Sequence, residues 1–106
     1  CEYDFKYNLI CSPTLNDPQI ATLTKKAVAP IFGEENIITI EKMMGSEDFS
    51  EYITDTPGMM MFLGAGLTDG VNHSLHSNHL ILNEDALPLG VASYVEVAMN
   101  YLRENA

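Results

Sequence analysis

The sequence predicts an α/β fold that is part of a larger protein. Residues 2–11 alternate between apolar and polar side chains, which is typical of a strand with one buried face. An amphipathic helix follows, and the β-branched run 37–40 indicates a second strand. The run 59–63 is apolar without alternation, which is typical of a strand covered on both faces in an α/β sheet. Because 106 residues hold too few elements to cover such a sheet, we expect further layers from a longer chain.

The first helix is predicted to begin at Pro18 and to end before Gly33. Asp17 is a preferred N-cap residue, and proline is favoured at the first helical position because its missing N–H has no helical partner there. Glycine suits the left-handed residue that ends a helix. Apolar residues recur at three- and four-residue steps and predict one buried face, made of Ile20, Leu23, Ala27, Val28 and Ile31. Lys25 and Lys26 are expected to face outward.

A short helix is predicted to begin just after Ser46. The Ser46 side chain is expected to cap it, with Glu47 and Asp48 in the first turn, where negative charge suits the helix dipole. Residues 56–58, Thr-Pro-Gly, are expected to end it. Its apolar face is predicted to comprise Phe49, Tyr52 and Ile53.

A polar loop, residues 64–78, separates the apolar run from the last helix. In α/β folds, functional residues lie in such loops at the carboxyl ends of strands. After a brief extended segment at 79–82, Asn83 or Asp85 is expected to cap the helix, with Pro88 in its first turn. The helix is predicted to bury a stripe made of Leu87, Val91, Tyr94, Val95, Ala98 and Leu102.

The charge balance argues against several classes of partner. The chain has 15 acidic and 5 basic residues, and its formal net charge of −10 disfavours nucleic acid and anionic membrane surfaces. Its longest apolar run is far shorter than the roughly 20 residues of a membrane span.

Cys1 and Cys11 are too few for a disulfide framework, so we interpret them as reduced thiols of a cytoplasmic protein. A leading Cys is also compatible with a mature lipoprotein, although a chain cut from a longer one explains it better.

Three histidines in the polar loop are the first candidates for a functional site. His73, His76 and His79 stand three residues apart, but loop-forming neighbours surround them, so their imidazoles are expected to point in different directions. Each one, considered alone, is more commonly a solvated loop residue than a ligand. Neutral imidazole is nonetheless a common metal ligand, and acidic neighbours orient such rings in many sites.

Glu47 and Asp48 form a second candidate. They are either first-turn residues that suit the helix dipole, or carboxylates that brace a bound ligand, with Gly45 allowing close backbone approach. The methionines at 43, 44 and 59–61 are interpreted as core filling rather than soft-metal ligands. The sequence contains no phosphate-binding glycine loop and no serine-nucleophile motif.

Four motifs, in order, carry a resemblance to a known family. They are residues 44–49 (MGSEDF), 57–64 (PGMMMFLG), 75–77 (LHS) and 83–90 (NEDALPLG). Together they resemble the C-terminal portion of the binuclear metal amidohydrolases typified by hippurate hydrolase and the plant auxin-conjugate hydrolases, which belong with the aminoacylase and carboxypeptidase-like metallopeptidases. Residues 16–18 and 33–36 also look like this family, so the resemblance covers almost the whole chain.

The resemblance implies a two-domain enzyme with an α/β catalytic domain and a smaller α+β lid domain that commonly pairs two subunits. Residues 1–42 look like the second half of the lid, and 43–106 look like the C-terminal segment of the catalytic domain. His76 matches the C-terminal metal ligand of the family. The other ligands and the general-base glutamate are implied to lie upstream, so no catalytic residue is expected here. The chain departs from the family pattern at Asn78, where the family usually has Pro, and at Leu80, where an aromatic is common. Neither departure touches the ligand, but both leave the loop conformation and the fine specificity open.

The implied cofactors are two divalent metal ions per full-length subunit, either zinc, manganese or nickel. The implied activity is hydrolysis of the amide bond of N-acyl amino acids, hippurate-like, or of small peptides, by a metal-activated water. Gly45, Ser46 and Glu47 are implied to line or brace the substrate cleft. The alternative is a catalytically inactive interaction or dimerisation module, whose strands extend the sheet of a partner.

Overall fold

Two packed helices organise the chain. The computed structural model describes all 106 residues. Helix α1 spans Pro18–Phe32 and helix α2 spans Ala86–Glu104, and the two pack against each other. Short 3₁₀ turns occur at Glu34–Asn36 and Phe49–Glu51. Turns and extended chain connect these elements, and neither helix has the length and apolar character needed to span a bilayer.

Helix α1 begins and ends where the sequence predicts. The Asp17 carboxylate accepts the backbone N–H groups of Gln19 and Ile20, both at 2.9 Å, and Pro18 occupies the first helical position. Gly33 ends the helix with a φ of 80°, and its N–H donates to the Ala29 carbonyl at 2.8 Å. The start is therefore fixed by a side-chain cap, and the end by a residue that tolerates positive φ.

The predicted buried face of α1 is confirmed. Ala27 and Val28 are buried, with Val28 only 2% exposed, and the other three apolar residues of that face are half-buried. Lys25 and Lys26 face outward as expected. The Lys26 ammonium donates to the Glu104 carboxylate near the end of α2 at 2.9 Å. Both partners of this ion pair are solvent-exposed, so it contributes little to stability.

Helix α2 packs on α1 with a different face from the predicted one. Its buried residues are Ala86 and Ser93, and Gly90 and Val97 on the same side are half-buried. A Cβ on Gly90 would lie only 3.2 Å from Leu63 Cδ2, so the apolar run approaches this face of α2 closely. The predicted stripe, here called the α2 apolar stripe, faces solvent: its five large residues are 54–84% exposed and Ala98 is exposed. The prediction that these residues are buried is wrong for these 106 residues, because no other element lies against them.

The segments predicted as strands form no strand pairs. Residues 2–11, 37–40, 59–63 and 79–82 contain no ladder. A strand needs a partner along its edge, and none of these segments supplies one to another. The α/β fold class therefore stays a prediction. The predicted domain boundary at residue 42 also stays a prediction, although α1 and α2 lie on opposite sides of it and are packed together.

The stretch before α1 is tied to the apolar run. The Asn16 amide donates to the Met60 carbonyl at 3.0 Å and accepts the Met60 N–H at 2.8 Å. The Asp17 N–H donates to the Gly58 carbonyl at 2.9 Å. One asparagine side chain thus satisfies both backbone groups of Met60, as a neighbouring strand does in a sheet. These bonds position the apolar run beside the start of α1.

The core is small for a chain of this length. Only 6 of 106 residues are buried, and the accessible surface of 9408 Å² compares with about 5,900 Å² for a folded monomer of this mass. The radius of gyration is 17.6 Å, against about 13 Å for a compact domain of this length. These residues therefore bury much less surface than a folded domain of the same length.

Candidate functional site

The loop that carries His76 is built from two consecutive turns. The Ser77 N–H donates to the Ser74 carbonyl, and the Leu80 N–H donates to the Ser77 carbonyl, each at 3.2 Å. The Ser77 hydroxyl oxygen also accepts the His79 N–H at 3.2 Å. Serine favours such turns because its hydroxyl can bond to nearby backbone. His76 therefore lies at the third position of the first turn, on a short, hydrogen-bonded segment.

His76 has an unusual backbone conformation. Its φ is 69°, and it is the one non-glycine residue of the chain with a positive φ. Left-handed backbone costs about 1 kcal/mol or more for a residue with a Cβ, although histidine tolerates it better than most. Such conformations are concentrated at active sites and ligand-binding positions. The side chain is exposed, so its imidazole is accessible to a ligand from outside this chain.

Two asparagines hold the polar loop in place. The Asn72 amide bridges Leu67, accepting its N–H at 2.7 Å and donating to its carbonyl at 3.0 Å. The Asn83 N–H donates to the Ala65 carbonyl at 2.9 Å, which joins the end of the loop to its beginning. The Asn83 side chain accepts the Asp85 N–H at 3.0 Å, whereas Asp85 makes no capping bond. Of the two predicted capping residues, Asn83 therefore orders the entry into α2.

The structure brings two of the three histidines together. The ring centres of His73 and His79 are 5.6 Å apart, with 41° between the ring planes. The expectation that all three imidazoles point in different directions is therefore wrong for this pair. Its physical reason is the turn at 74–77, which reverses the chain so that residues on either side of it meet. The two serines of that turn were the sequence signal for this proximity.

Residues 45–47, the other predicted site residues, lie in an exposed stretch without regular secondary structure. Glu47 accepts the Phe49 N–H through its carboxylate at 3.0 Å, and its carbonyl accepts the Cys11 thiol at 3.5 Å. The helix predicted here is only a 3₁₀ turn, and the residue that bonds to its first N–H is Glu47, not Ser46. A Cβ on Gly45 would meet nothing within 4 Å, so no close approach requires glycine here. No hydrogen bond or ion pair joins these residues to His76.

The residues of this chain do not form a complete metal site by themselves. Nowhere do three or more His, Cys, Asp or Glu side chains converge on one position. A structural zinc ion needs four ligands and a catalytic one about three. A cavity of about 480 Å³ lies between residues 15–18 and 53–58, away from the histidines, and the Asp17 carboxylate in its wall already caps α1. A metal site that used His76 would therefore need ligands that do not converge with it in these 106 residues.

Comparison with known proteins identifies the class of protein. Residues 1–100 match peptidase family M20/M25/M40. The chain is 34% identical over 100 residues, 93% of its length, to the IAA-amino acid hydrolase ILR1-like 6 of Arabidopsis thaliana. It is 33% identical over 94% of its length to a probable hydrolase of Synechocystis sp., and 28% identical over 95% to thermostable carboxypeptidase 2 of Saccharolobus solfataricus.

The chain therefore belongs to peptidase family M20/M25/M40, and the three relatives just described are named as hydrolases or a carboxypeptidase. The family resemblance seen in the four ordered motifs is confirmed. The matched region is 22% of the Arabidopsis relative, 26% of the Synechocystis relative and 25% of the Saccharolobus relative. The chain thus spans about a quarter or less of the length of the curated relatives it matches.

Proposed function

We propose that this chain is part of a metal-dependent amidohydrolase that cleaves the amide bond of N-acyl amino acids or small peptides. One observation carries the proposal. The chain belongs to a peptidase family, and its His76 lies with a positive φ on an exposed turn a few residues before α2. The relatives named as an IAA-amino acid hydrolase and a carboxypeptidase support this class of substrate. Hippurate-like compounds are the first substrates to try.

His76 is proposed to bind one of two divalent ions, zinc, manganese or nickel, through a ring nitrogen. Imidazole suits these ions, and a ligand on a hydrogen-bonded turn is held at a fixed orientation. The remaining ligands and the general base are proposed to come from parts of the protein outside these residues, because no three candidate ligands converge here. Gly45, Ser46 and Glu47 are proposed to line or brace the substrate cleft.

The surrounding architecture is proposed from the exposed apolar surfaces. The α2 apolar stripe and the unpaired segments 2–11 and 59–63 fit a protein in which a larger sheet covers them. In this arrangement residues 1–42 belong to the lid and 43–106 to the catalytic domain. A homodimer through the lid domain is proposed on the same family resemblance.

A catalytically inactive interaction or dimerisation module is the second candidate. The observation in its favour is the exposure of Tyr3, Phe5 and Tyr7, which alternate along an unpaired segment. An extended segment with one apolar edge can add a strand to the sheet of a partner. The two candidates differ in whether the longer protein hydrolyses amides at all.

Hydrolysis by the full-length protein separates the two candidates. We expect the protein to release free amino acid from N-acyl amino acids. Treatment with a chelator should lower the rate of hydrolysis by at least about 100-fold, and addition of zinc, manganese or nickel should restore it. Amine release is measured by derivatisation for a series of N-benzoyl and N-acetyl amino acids and dipeptides. No hydrolysis of any of them with any of the three ions would contradict the enzyme proposal and favour the module.

A further inference from the structure

We propose that His73 and His79 form a two-imidazole clamp that binds one borderline divalent transition-metal ion, with copper(II) as the preferred probe. The clamp does not include His76, and the proposal is independent of the proposed hydrolase function. It rests on the approach of the two rings across the turn at 74–77, on their exposure and on their unused ring nitrogens.

The distance between the rings fits an ion held between them. Copper(II) prefers square-planar geometry, in which metal–nitrogen bonds of about 2.0 Å place the centres of two bound imidazoles about 4.5 Å apart when cis and about 6.4 Å apart when trans. The observed separation of 5.6 Å falls between these values. We propose that the rings rotate about their side-chain torsions to aim one nitrogen of each at a shared ion.

Both rings are exposed and unpartnered within these 106 residues. His73 and His79 are exposed, and neither ring takes part in a hydrogen bond or an ion pair within the chain. Each neutral imidazole keeps one unprotonated nitrogen as an acceptor, which is the atom that binds metals. Binding therefore breaks no internal contact. The chain also carries a formal net charge of −10, which raises the local concentration of cations.

The turn between the two histidines holds the backbone in a conformation that keeps their rings close together. The bonds from Ser77 to Ser74 and from Leu80 to Ser77 fix the backbone on both sides of His76. A chelating pair held by such turns loses less conformational freedom on binding than two histidines in an open loop. Copper(II) is favoured among the divalent ions because it binds imidazole most strongly in the first transition series. A bound ion would link the two ends of the His76 turn and restrict its motion.

The test uses the full-length protein loaded with its own metal. Copper(II) binding is measured by equilibrium dialysis, and the coordinated nitrogens are counted by electron paramagnetic resonance. We expect one copper per chain, with hyperfine coupling to two imidazole nitrogens, and no release of the metal already bound. His73→Gln and His79→Gln are each expected to weaken this binding at least tenfold. Asn78→Gln, in the same loop, is the matched control and is expected to change it less than twofold.

Two results would overturn the clamp. One is a loss of less than tenfold in either histidine variant whose circular dichroism matches the parent protein. The other is binding of copper only in proportion to release of the native metal, which indicates that copper replaces that metal at its own site. Because the native metal content and the amidase activity are measured in the same samples, failure of the clamp is distinguishable from failure of the proposed hydrolase.

Discussion

His76→Asn in the full-length protein is expected to lower kcat/KM for N-acyl amino acids by at least about 100-fold. Loss of a residue that only orients a metal ligand already costs about 10- to 100-fold in metal affinity or activity, and His76 is proposed as a ligand itself. Asparagine is the informative replacement because it tolerates a φ of 69° and removes the imidazole. The turn should survive while the ligand is lost.

Kinetics, metal content and thermal unfolding of the same preparations check this prediction. The variant is expected to retain less than two metal ions per subunit and to unfold, with metal removed from both proteins, at the temperature of the parent. His76→Ala should lose as much activity and also be less stable by about 1 kcal/mol, because alanine tolerates positive φ poorly. Full activity with unchanged metal content in His76→Asn would contradict the assignment of His76.

Val95→Asp in the full-length protein is expected to lower the free energy of unfolding by about 3 kcal/mol or more. Val95 lies in the middle of the α2 apolar stripe and is 54% exposed in these residues. We propose that the rest of the longer protein covers this stripe, so an aspartate there would be buried without a partner. The large effect follows from structure outside the 106 residues.

Urea unfolding of the metal-loaded protein measures the effect of Val95→Asp. The matched control is Glu96→Gln, at the next position of the same helix on its polar face, which is expected to change stability by less than about 0.5 kcal/mol. If the free energy of unfolding of Val95→Asp is also within about 0.5 kcal/mol of that of the parent, the stripe is solvent-exposed in the longer protein. The proposal that a larger sheet covers α2 would then be contradicted.

Local chemistry made the helices predictable from sequence. Asp17, Pro18 and Gly33 determine the limits of α1 through interactions within a few residues, so the sequence contains all the necessary information. The apolar face of α1 was also predictable, because its apolar residues recur at helical spacing on one side. Asn83 at the entry to α2 is also a local signal.

The buried face of α2 was not predictable, because it depends on which surface reaches the helix. The small residues Ala86 and Ser93 are buried and Gly90 is half-buried, while the larger apolar stripe has no partner among these residues. Strand formation is non-local in the same sense: the apolar run 59–63 needs neighbours that the chain does not supply. Sequence periodicity identifies an apolar face but not what covers it.

The candidate site was predictable only through the family resemblance. Three histidines in a polar loop do not distinguish a ligand from solvated side chains, and the four ordered motifs selected His76. The positive φ of His76 and the approach of His73 to His79 emerge from the turn at 74–77. That turn is closed by a backbone bond, and the Ser77 hydroxyl accepts the His79 N–H beyond it, neither of which periodicity describes.

The most direct test of the central claim is a metal titration of the full-length protein and of the isolated 106 residues, side by side, by calorimetry with zinc. The claim is that His76 is one ligand of a site completed by other parts of the protein. We expect the full-length protein to bind two ions tightly, and the isolated chain to bind at most one, weakly, and to hydrolyse nothing. Tight binding of two ions by the isolated 106 residues would contradict the claim.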